Sequence, residues 1–505
     1  MNILLLPCDT RPPTLELPHQ LARVAGVTLL SPPLEHLNQL NQPGNTQKIR
    51  EWLLEHAPKA DALIVSLEML CLGGLIPARR VSDSLEDALS RLEVLKELKA
   101  LNPKLHILAH GVIVRVGSDD DPLEEKPYFG EWGARLRVVS EWTDRVDRER
   151  DGAGGQTKLK QAINAVPADI LENWLGTRER NHRLHHATLE LLKNGVLERL
   201  HLTLDDTTPY GLAALDRRRL EARIDALRLW NRAEIYPGAD EVSACLLARA
   251  ILRDERVQDR RVPVKVVYPS SLSQAATTLY EDRPLGELVS AHLRACGCEE
   301  VSSGQAFTLF VNAPATRQGQ TQPDFETVDT SARFLPGFAG QISESLERGE
   351  NTALADVAYP NGAEVRLMKL LENAPLHTLL AYAAWNTAGN TLGSAIATAV
   401  CGLEGRNARA RAEALFSRLT DDWIYQSEVR LQVWNALERP SIFDLGDLLA
   451  RAESEIELRI KPIALELWTK HFAPYYPNLK LEWNGSSLAW PRLFTGVFPL
   501  EVKDD

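Results

Sequence analysis

Two adjacent acids that follow a short apolar run are the residues of this sequence best placed to do chemistry. Asp205 and Asp206 come directly after residues 201–204, so a strand ending there delivers two carboxylates that point in different directions. The charge of one carboxylate raises the pKa of its neighbour, which suits acid/base catalysis of glycosidic bond cleavage. We predict Asp206 as the general acid and Asp205 as the orienting or stabilising carboxylate. The structural alternative is that an aspartate here caps a helix or binds the amides of a turn. This alternative explains the presence of one aspartate more easily than the presence of two.

Other polar and aromatic residues follow apolar runs in the same way. Arg11 has the fork geometry that binds a carboxylate or a pair of hydroxyls. Trp385 can stack on the apolar face of a sugar ring, and neighbouring asparagines can bind its hydroxyls. The predicted substrate-binding residues are Asp9, Arg11, Glu68, Tyr210, Asp240, Glu241, Asp356, Asn361, Trp385, Asn386 and Asn390.

Several of these positions also have a purely structural explanation. Asp9 and Arg11 can form an ion pair within their loop. Asp240 and Glu241 suit the positive end of a helix that starts near residue 242. Trp385 can be a core residue. Asp356 lies inside an apolar run, where a carboxylate is costly unless it is paired, so we expect it to meet a cation, a metal or a ligand hydroxyl.

These residues must be positioned by strands that alternate with helices. Apolar and β-branched runs predict ten strands, at residues 3–7, 27–31, 62–66, 105–109, 201–204, 233–236, 264–268, 307–311, 354–358 and 379–384. Helical periodicity lies between many of them, as at residues 45–56, 84–101, 242–254 and 286–295. Beyond residue 407 the pattern predicts long charged helices at 407–419, 424–437 and 450–472, then short strands in a tail over 479–502.

This alternation predicts an α/β fold. If the strands at residues 264–268 and 307–311 belong to an inserted unit, eight strands remain, which is the number in a (β/α)₈ barrel. The alternative is a pair of open parallel sheets. We expect a catalytic barrel-like domain over residues 1–255 and 350–403, an inserted α/β unit over 256–349, and a C-terminal helical cap with short terminal strands over 404–505. The cap is a candidate oligomerisation module.

The composition limits the kinds of molecule that we expect the protein to bind. The formal charge of −12 argues against nucleic acid, and no uninterrupted apolar stretch is long enough for a membrane span. The six cysteines are scattered, which fits neither a disulfide scaffold nor a structural zinc site and indicates the cytoplasm. His182, His185 and His186 come closest to a metal-ligand spacing but lack a His-Glu-x-x-His arrangement, so they are interpreted as solvent-exposed.

Read together, several motifs resemble a known family. They are residues 5–12 (LLPCDTRP), Ser66-Leu67-Glu68-Met69 with Gly73-Gly74, Asp205-Asp206 with Pro209-Tyr210-Gly211, residues 237–241 (PGADE) and residues 384–391 (AWNTAGNT). The sequence resembles the bacterial family catalogued as domain of unknown function 4127, although Glu68 stands where that family pattern has aspartate. The resemblance implies no established activity, so no catalytic residue is carried over from it.

The sequence therefore favours an enzyme, a hydrolase acting on a small carbohydrate or oligosaccharide without a cofactor. A first alternative is a hydrolase or lyase that holds Mg²⁺ or Mn²⁺ through oxygen ligands from Asp9, Glu68, Asp205 and Asp356. A second alternative is a sensor that binds a polar metabolite without turning it over.

Overall fold

The computed structural model describes residues 1–117, 120–148, 152–205, 207–253, 260–320, 328, 332–405 and 407–504. The chain divides into two compact units. The first unit contains Met1–Thr10 and Thr28–Ser243, and the second contains Arg11–Val27 and Ala244–Asp505.

The first unit is built on a parallel sheet of six strands, which are β1 Asn2–Leu6, β2 Thr28–Leu30, β3 Ala62–Ser66, β4 His106–Ile113, β5 Arg199–Leu204 and β6 Ala233–Pro237. They lie in the order β2-β1-β3-β4-β5-β6. β1, β3 and β5 are buried along most of their length, as expected for parallel strands covered on both faces, and β1 and β3 are mostly apolar. The strand order is doubly wound, because the chain moves outward from β1 in one direction and then from β3 in the other.

The second unit contains the strands β7 Val262–Val267, β8 Cys298–Glu300, β9 Phe307–Asn312, β10 Thr352–Asp356, β11 Ala381–Ala383, β12 Leu479–Trp483, β13 Ser487–Leu488, β14 Gly496–Val497 and β15 Leu500–Asp504. Five of them form a parallel sheet in the order β11-β10-β9-β7-β8. Because β7 is the first strand of the unit, this order is again doubly wound, with a switch point between β7 and β9. Two antiparallel pairs, β12 with β15 and β13 with β14, lie near the C-terminus.

Helices connect the strands of both sheets. The α-helices are α1 Leu17–Ala25, α2 Thr46–His56, α3 Leu67–Leu72, α4 Pro77–Arg80, α5 Leu85–Leu92, α6 Val94–Leu101, α7 Phe129–Asp147, α8 Gly152–Asn164, α9 Ala168–Lys193, α10 Leu212–Leu227, α11 Val242–Ile251, α12 Leu285–Ala295, α13 Leu335–Glu347, α14 Val365–Leu370, α15 Ala388–Glu404, α16 Ala408–Arg418, α17 Arg430–Ala436 and α18 Leu449–His471. Two π-helices, Pro12–Glu16 and Leu419–Val429, precede α1 and α17.

The helix that follows β3 begins and ends at residues suited to those positions. The hydroxyl of Ser66 accepts a hydrogen bond from the amide of Met69 at 3.3 Å, which caps the N-terminus of α3. Gly73 ends α3 in the left-handed conformation with a φ of +80°, which costs glycine little. The short helix therefore starts directly at the carboxyl end of β3 and turns back after six residues.

The C-terminal helices share one hydrophobic core with the second sheet. Leu354 on β10 and Tyr382 on β11 belong to the same buried cluster as Phe416, Trp468 and Phe472. The rings of Trp468 and Phe472 stack with their centroids 5.2 Å apart. The helices after residue 407 are thus packed on the sheet of their own unit.

The structure confirms the α/β class and fits the alternative of two open parallel sheets. Within the described residues the strands of neither sheet close into a barrel, because each strand order has two free ends. All ten predicted strands are present, and the three-residue strand β8 was not predicted. The expected domain boundaries and the oligomerisation module stay predictions. Among the described helices, none combines the length and apolarity needed to cross a membrane.

Replacing Gly73 with alanine should destabilise the protein more than the matched change Gly195→Ala. Both glycines have positive φ, +80° and +75°, so each alanine costs about 1 kcal/mol of backbone strain. A Cβ at Gly73 would also lie 2.8 Å from Cβ of Pro43, whereas nothing lies within 4 Å at Gly195. We expect the free energy of unfolding in urea to fall by about 1 kcal/mol for Gly195→Ala and by about 2 to 4 kcal/mol for Gly73→Ala. An equal fall in the free energy of unfolding for the two variants would contradict the crowding at Gly73.

Candidate functional site

Loops of the first unit meet at its topological switch point, between β1 and β3. In doubly wound sheets ligands bind outside the carboxyl ends of the strands at this point. The loop after β1 contains Asp9, which is fully buried, and the first turn of α3, directly after β3, contains Glu68. The segments that follow the two strands are joined by a hydrogen bond of 2.8 Å from the amide of Leu75 to the carbonyl oxygen of Cys8. Two predicted binding residues therefore lie on the segments that form the switch point.

The carboxylate of Glu68 accepts two hydrogen bonds and lies close to a histidine. Its Oε1 accepts a hydrogen bond of 2.7 Å from the amide of Val112, and its Oε2 accepts one of 3.1 Å from the hydroxyl of Ser66. Nε2 of His185 lies 3.6 Å from Oε1. Burial raises the pKa of Glu68, but the contacts with His185 and the Val112 amide outweigh burial, so the net shift is downward. Glu68 is therefore a fixed, buried negative charge.

A buried histidine lies next to this carboxylate on β4. Nε2 of His110 is 3.2 Å from the hydroxyl of Ser243, and Nδ1 has no hydrogen-bond partner among the described residues. Burial lowers the pKa of His110 to about 4, although the charges of Glu68 and Glu241 act in the opposite direction. The imidazole is thus neutral at pH 7.

Asp205 is fixed by two arginines at the carboxyl end of β5. Its Oδ2 accepts a hydrogen bond of 2.5 Å from Nη2 of Arg79 and lies 3.9 Å from Nη1 of Arg115. Both guanidiniums also bind Glu124 and Glu125, at 2.7 to 3.4 Å. The side chain of Arg79 is only 3% exposed, whereas that of Asp205 is 18% exposed. We call five residues, Arg79, Arg115, Glu124, Glu125 and Asp205, the Arg79 cluster. In this cluster Asp205 is part-exposed, whereas Arg79 is buried. Asp206 lies outside the described residues.

The acids after β6 shape a tight turn. The amide of Ala239 donates to Oε2 of Glu241 at 3.0 Å, and Glu241 is fully buried. Gly238 has a φ of +151°, and a Cβ there would lie 2.0 Å from Oε1 of Glu241. Asp240 is also buried. Glu241 therefore stabilises the turn that leads into α11, which supports the structural explanation for this position.

Tyr210 faces α7. The guanidinium carbons of Arg145 and Arg148 lie 4.3 Å and 4.9 Å from the centroid of its ring. Arg148 also donates to the carbonyl oxygen of Pro209 at 3.0 Å. The ring is thus held by cation–π contacts within the first unit.

The remaining predicted residues belong to the second unit. Asp356 ends β10, and its carboxylate accepts hydrogen bonds from Asn312 at 2.8 Å and from the amide of Glu364 at 2.7 Å. Arg333 donates to Asn312 at 3.0 Å and to Glu364 at 2.6 Å. Burial raises the pKa of Asp356 to about 7, and the charge of Glu364 adds to the effect. The partners of Asp356 are amides, whereas the sequence predicted a cation, a metal or a ligand.

Asn361 and Asn386 follow β10 and β11 in left-handed conformations, with φ of 59° and 57°. The amide of Asn361 donates to the carbonyl oxygen of Asn386 at 2.9 Å, which joins the two loops. Trp385 is 1% exposed and packs against Phe494, with ring centroids 4.9 Å apart. Asn390 lies in the first turn of α15, where its backbone amide donates to the capping hydroxyl of Thr387 at 3.4 Å.

Arg11 also belongs to the second unit, where its guanidinium carbon lies 4.6 Å from the ring centroid of Trp490. The predicted site residues are therefore divided between the two units. Their roles in substrate binding and catalysis stay predictions.

Several residues of these clusters were not predicted. His182 and His185 are buried, so the interpretation of this stretch as solvent-exposed is wrong for both. Arg79 and Arg115 are distant in sequence from Asp205, and nothing in their local pattern indicates the contact. His110 is a polar residue within an apolar strand, and this contrast could have drawn attention to it. Among the described residues, no group of three or more histidine, cysteine, aspartate or glutamate side chains is arranged to hold a metal ion.

The fold and these clusters define a doubly wound α/β protein with polar groups at the carboxyl ends of both sheets. The family model described as "Protein of unknown function (DUF4127)" matches residues 3–498, so the chain belongs to that family, as the sequence motifs indicated. No curated protein and no solved structure matches the chain.

Replacing His110 with glutamine should make the protein less sensitive to acid. Because the pKa of His110 is about 4 in the folded protein and ~6.5 in an unfolded chain, the unfolded state binds a proton first as the pH falls. This difference weakens folding by up to about 3 kcal/mol between pH 7 and pH 4. We expect the free energy of unfolding, measured in urea across this range, to fall less steeply in His110→Gln than in the wild type.

The control for this measurement is His56→Gln, at the part-exposed C-terminal end of α2. It should follow the wild-type pH dependence. Parallel curves for His110→Gln and the wild type would show that His110 is not a buried neutral histidine.

Proposed function

We propose that the protein is a hydrolase that cleaves a glycosidic bond in a small carbohydrate or oligosaccharide, with its reaction centre at Asp205 and Asp206. The observation that carries this proposal is the Arg79 cluster, in which a part-exposed carboxylate is fixed at the end of a strand by two guanidiniums. A charged group fixed in this way needs no reorganisation when charge develops on the substrate.

The net charge of the Arg79 cluster favours a transition state with positive charge. Three carboxylates, Glu124, Glu125 and Asp205, contact two guanidiniums, so one formal negative charge remains within the cluster. Glycoside cleavage passes through a transition state that resembles an oxocarbenium ion. In this proposal Asp205 stabilises that positive charge and Asp206, the next residue, protonates the leaving oxygen.

The position of Asp205 also supports the proposal. It follows β5 at the carboxyl edge of a doubly wound sheet, the edge at which such folds bind their ligands. Glu68 and Glu241, which follow β3 and β6 at this edge, are 4% and 0% exposed. Asp205, whose side chain is 18% exposed, is therefore more accessible to a substrate than Glu68 or Glu241.

Asparagine substitutions at the two aspartates should separate their roles. Asp206→Asn removes the general acid, so we expect kcat to fall by about 10² to 10⁴-fold on an oligosaccharide, whose leaving group needs a proton, and far less on nitrophenyl glycosides, whose leaving group does not. Asp205→Asn removes charge stabilisation and should lower kcat on both kinds of substrate. Asp169→Asn, an exposed position at the start of α9, is the matched control and should leave kcat unchanged.

Three results would contradict this proposal. The first is hydrolysis by the wild type that Asp206→Asn leaves intact on both substrate classes. The second is activity that EDTA abolishes and Mn²⁺ restores, which supports a metal-dependent enzyme. The third is a carbohydrate that raises the melting temperature of the protein without being hydrolysed, which supports a sensor.

A further inference from the structure

A buried lysine without an acidic partner lies in the first unit, after β4. Lys126 is 8% exposed, and its Nζ donates to Oδ1 of Asn173 at 2.6 Å and to the hydroxyl of Thr177 at 2.7 Å. Both acceptors are uncharged, and among the residues that the structure describes Nζ forms no ion pair. Lysine is almost never this buried unless it is paired with an acid, so the surroundings of Lys126 are unusual.

The acids that precede Lys126 in the sequence contact other cations. Glu124 and Glu125 form ion pairs with Arg79 and Arg115 at 2.7 to 3.4 Å. The side chain of Lys126 instead reaches α9, the helix that carries its two uncharged acceptors. Lys126 is therefore next to two carboxylates in the sequence but is paired with neither of them.

The charges that act on Lys126 are positive. Burial lowers the pKa of Lys126 to about 8, and the charges of Arg180 and Arg80 lower it further in the same direction. At pH ~7.5 an ordinary lysine with a pKa of ~10.4 is neutral in about 0.1% of molecules, whereas a pKa of about 8 makes about a quarter of them neutral. The neutral amine is therefore about 200-fold more abundant here than at an ordinary lysine.

The hydrogen bonds of Lys126 also suit a neutral amine. An ammonium group has three N–H donors, and a neutral amine has two N–H donors and one lone pair. Asn173 and Thr177 accept two hydrogen bonds, and no third acceptor is found among the described residues. The arrangement therefore satisfies both donors of the neutral amine and leaves its lone pair free to react. Because Lys126 is almost fully buried, only a small electrophile can reach it.

We propose that Lys126 reacts reversibly with carbon dioxide and forms a carbamate. The lone pair of Nζ forms a bond to the carbon of CO₂, one C=O electron pair moves onto oxygen, and Nζ releases a proton to solvent. The product carries a negative charge in place of the positive charge of the ammonium. The neighbouring charges of Arg80 and Arg180, which disfavour an ammonium, favour this anion. The carbamate does not depend on the proposed glycosidase reaction.

Chemical trapping on the full-length protein tests this site. Triethyloxonium ion transfers an ethyl group to a carbamate oxygen, and the stable ethyl carbamate is located by peptide mass spectrometry. In a CO₂–bicarbonate buffer we expect the label at Lys126 and at the chain's α-amino group, whose ordinary pKa is ~8. Lys193, an exposed lysine at the end of α9, is the control and should stay unlabelled. An unlabelled Lys126 beside a labelled α-amino group, or equal labelling of Lys193, would overturn the proposal.

Arg80→Gln tests the role of the neighbouring charge. It removes one positive charge near Nζ, so the labelled fraction of Lys126 should fall by about threefold or more at the same pH and CO₂ concentration. The matched control is Arg219→Gln, at an exposed position of α10, which should leave the labelled fraction unchanged. Wild-type labelling of Lys126 in folded Arg80→Gln would contradict the stabilisation of a carbamate by this charge. If Arg80→Gln does not fold, the position of the label in the wild type still decides the question.

Discussion

A single buried guanidinium, that of Arg79, ties together the loops that follow three neighbouring strands. Arg79 lies on α4 after β3, Glu124 and Glu125 follow β4, and Asp205 follows β5. A cation that is 3% exposed requires such partners, because an unpaired buried charge costs several kcal/mol. The ion pairs of Arg79 therefore hold these segments together at the carboxyl edge of the sheet.

The second unit also pairs its buried charged groups, but with different partners. At the ends of β9 and β10, Asn312 bridges Asp356 and Glu364, and Arg333 neutralises Glu364. Among the residues that the structure describes, the donors to Asp356 are amides, and burial raises its pKa, whereas Asp205 contacts two guanidiniums. Two sheets with the same winding thus present different electrostatic environments at their carboxyl ends. The fixed, part-exposed carboxylate of Asp205 is the reason for placing the proposed acid/base chemistry in the first unit.

The sequence predicted the strands well because parallel strands buried on both faces are continuous apolar runs. It missed β8, since Cys298–Glu300 is too short to show a pattern. It could not decide between a barrel and open sheets, because ten strands do not specify which strand pairs with which. Only the pairing of β1 with both β2 and β3 reveals the switch point.

The candidate site was predictable only in part, because a sequence shows local patterns but not contacts between distant residues. Acids at the ends of apolar runs are visible locally, as at Glu68 and Asp205. Their partners are not, because Arg79 and Asp205 are separated by 126 positions and contact arises only through the fold. The burial of His185 was hidden by the polar composition of α9, whose buried face carries several polar side chains.

The central claim, that Arg79 fixes Asp205 at the carboxyl edge of the first sheet, is tested most directly by a double-mutant cycle. The free energy of unfolding would be measured for the wild type, Arg79→Gln, Asp205→Asn and the double variant. We predict a coupling energy of at least about 1 kcal/mol, as found for close charge pairs that are largely buried. A coupling energy within about 0.5 kcal/mol of zero would mean that the two side chains do not hold each other in place.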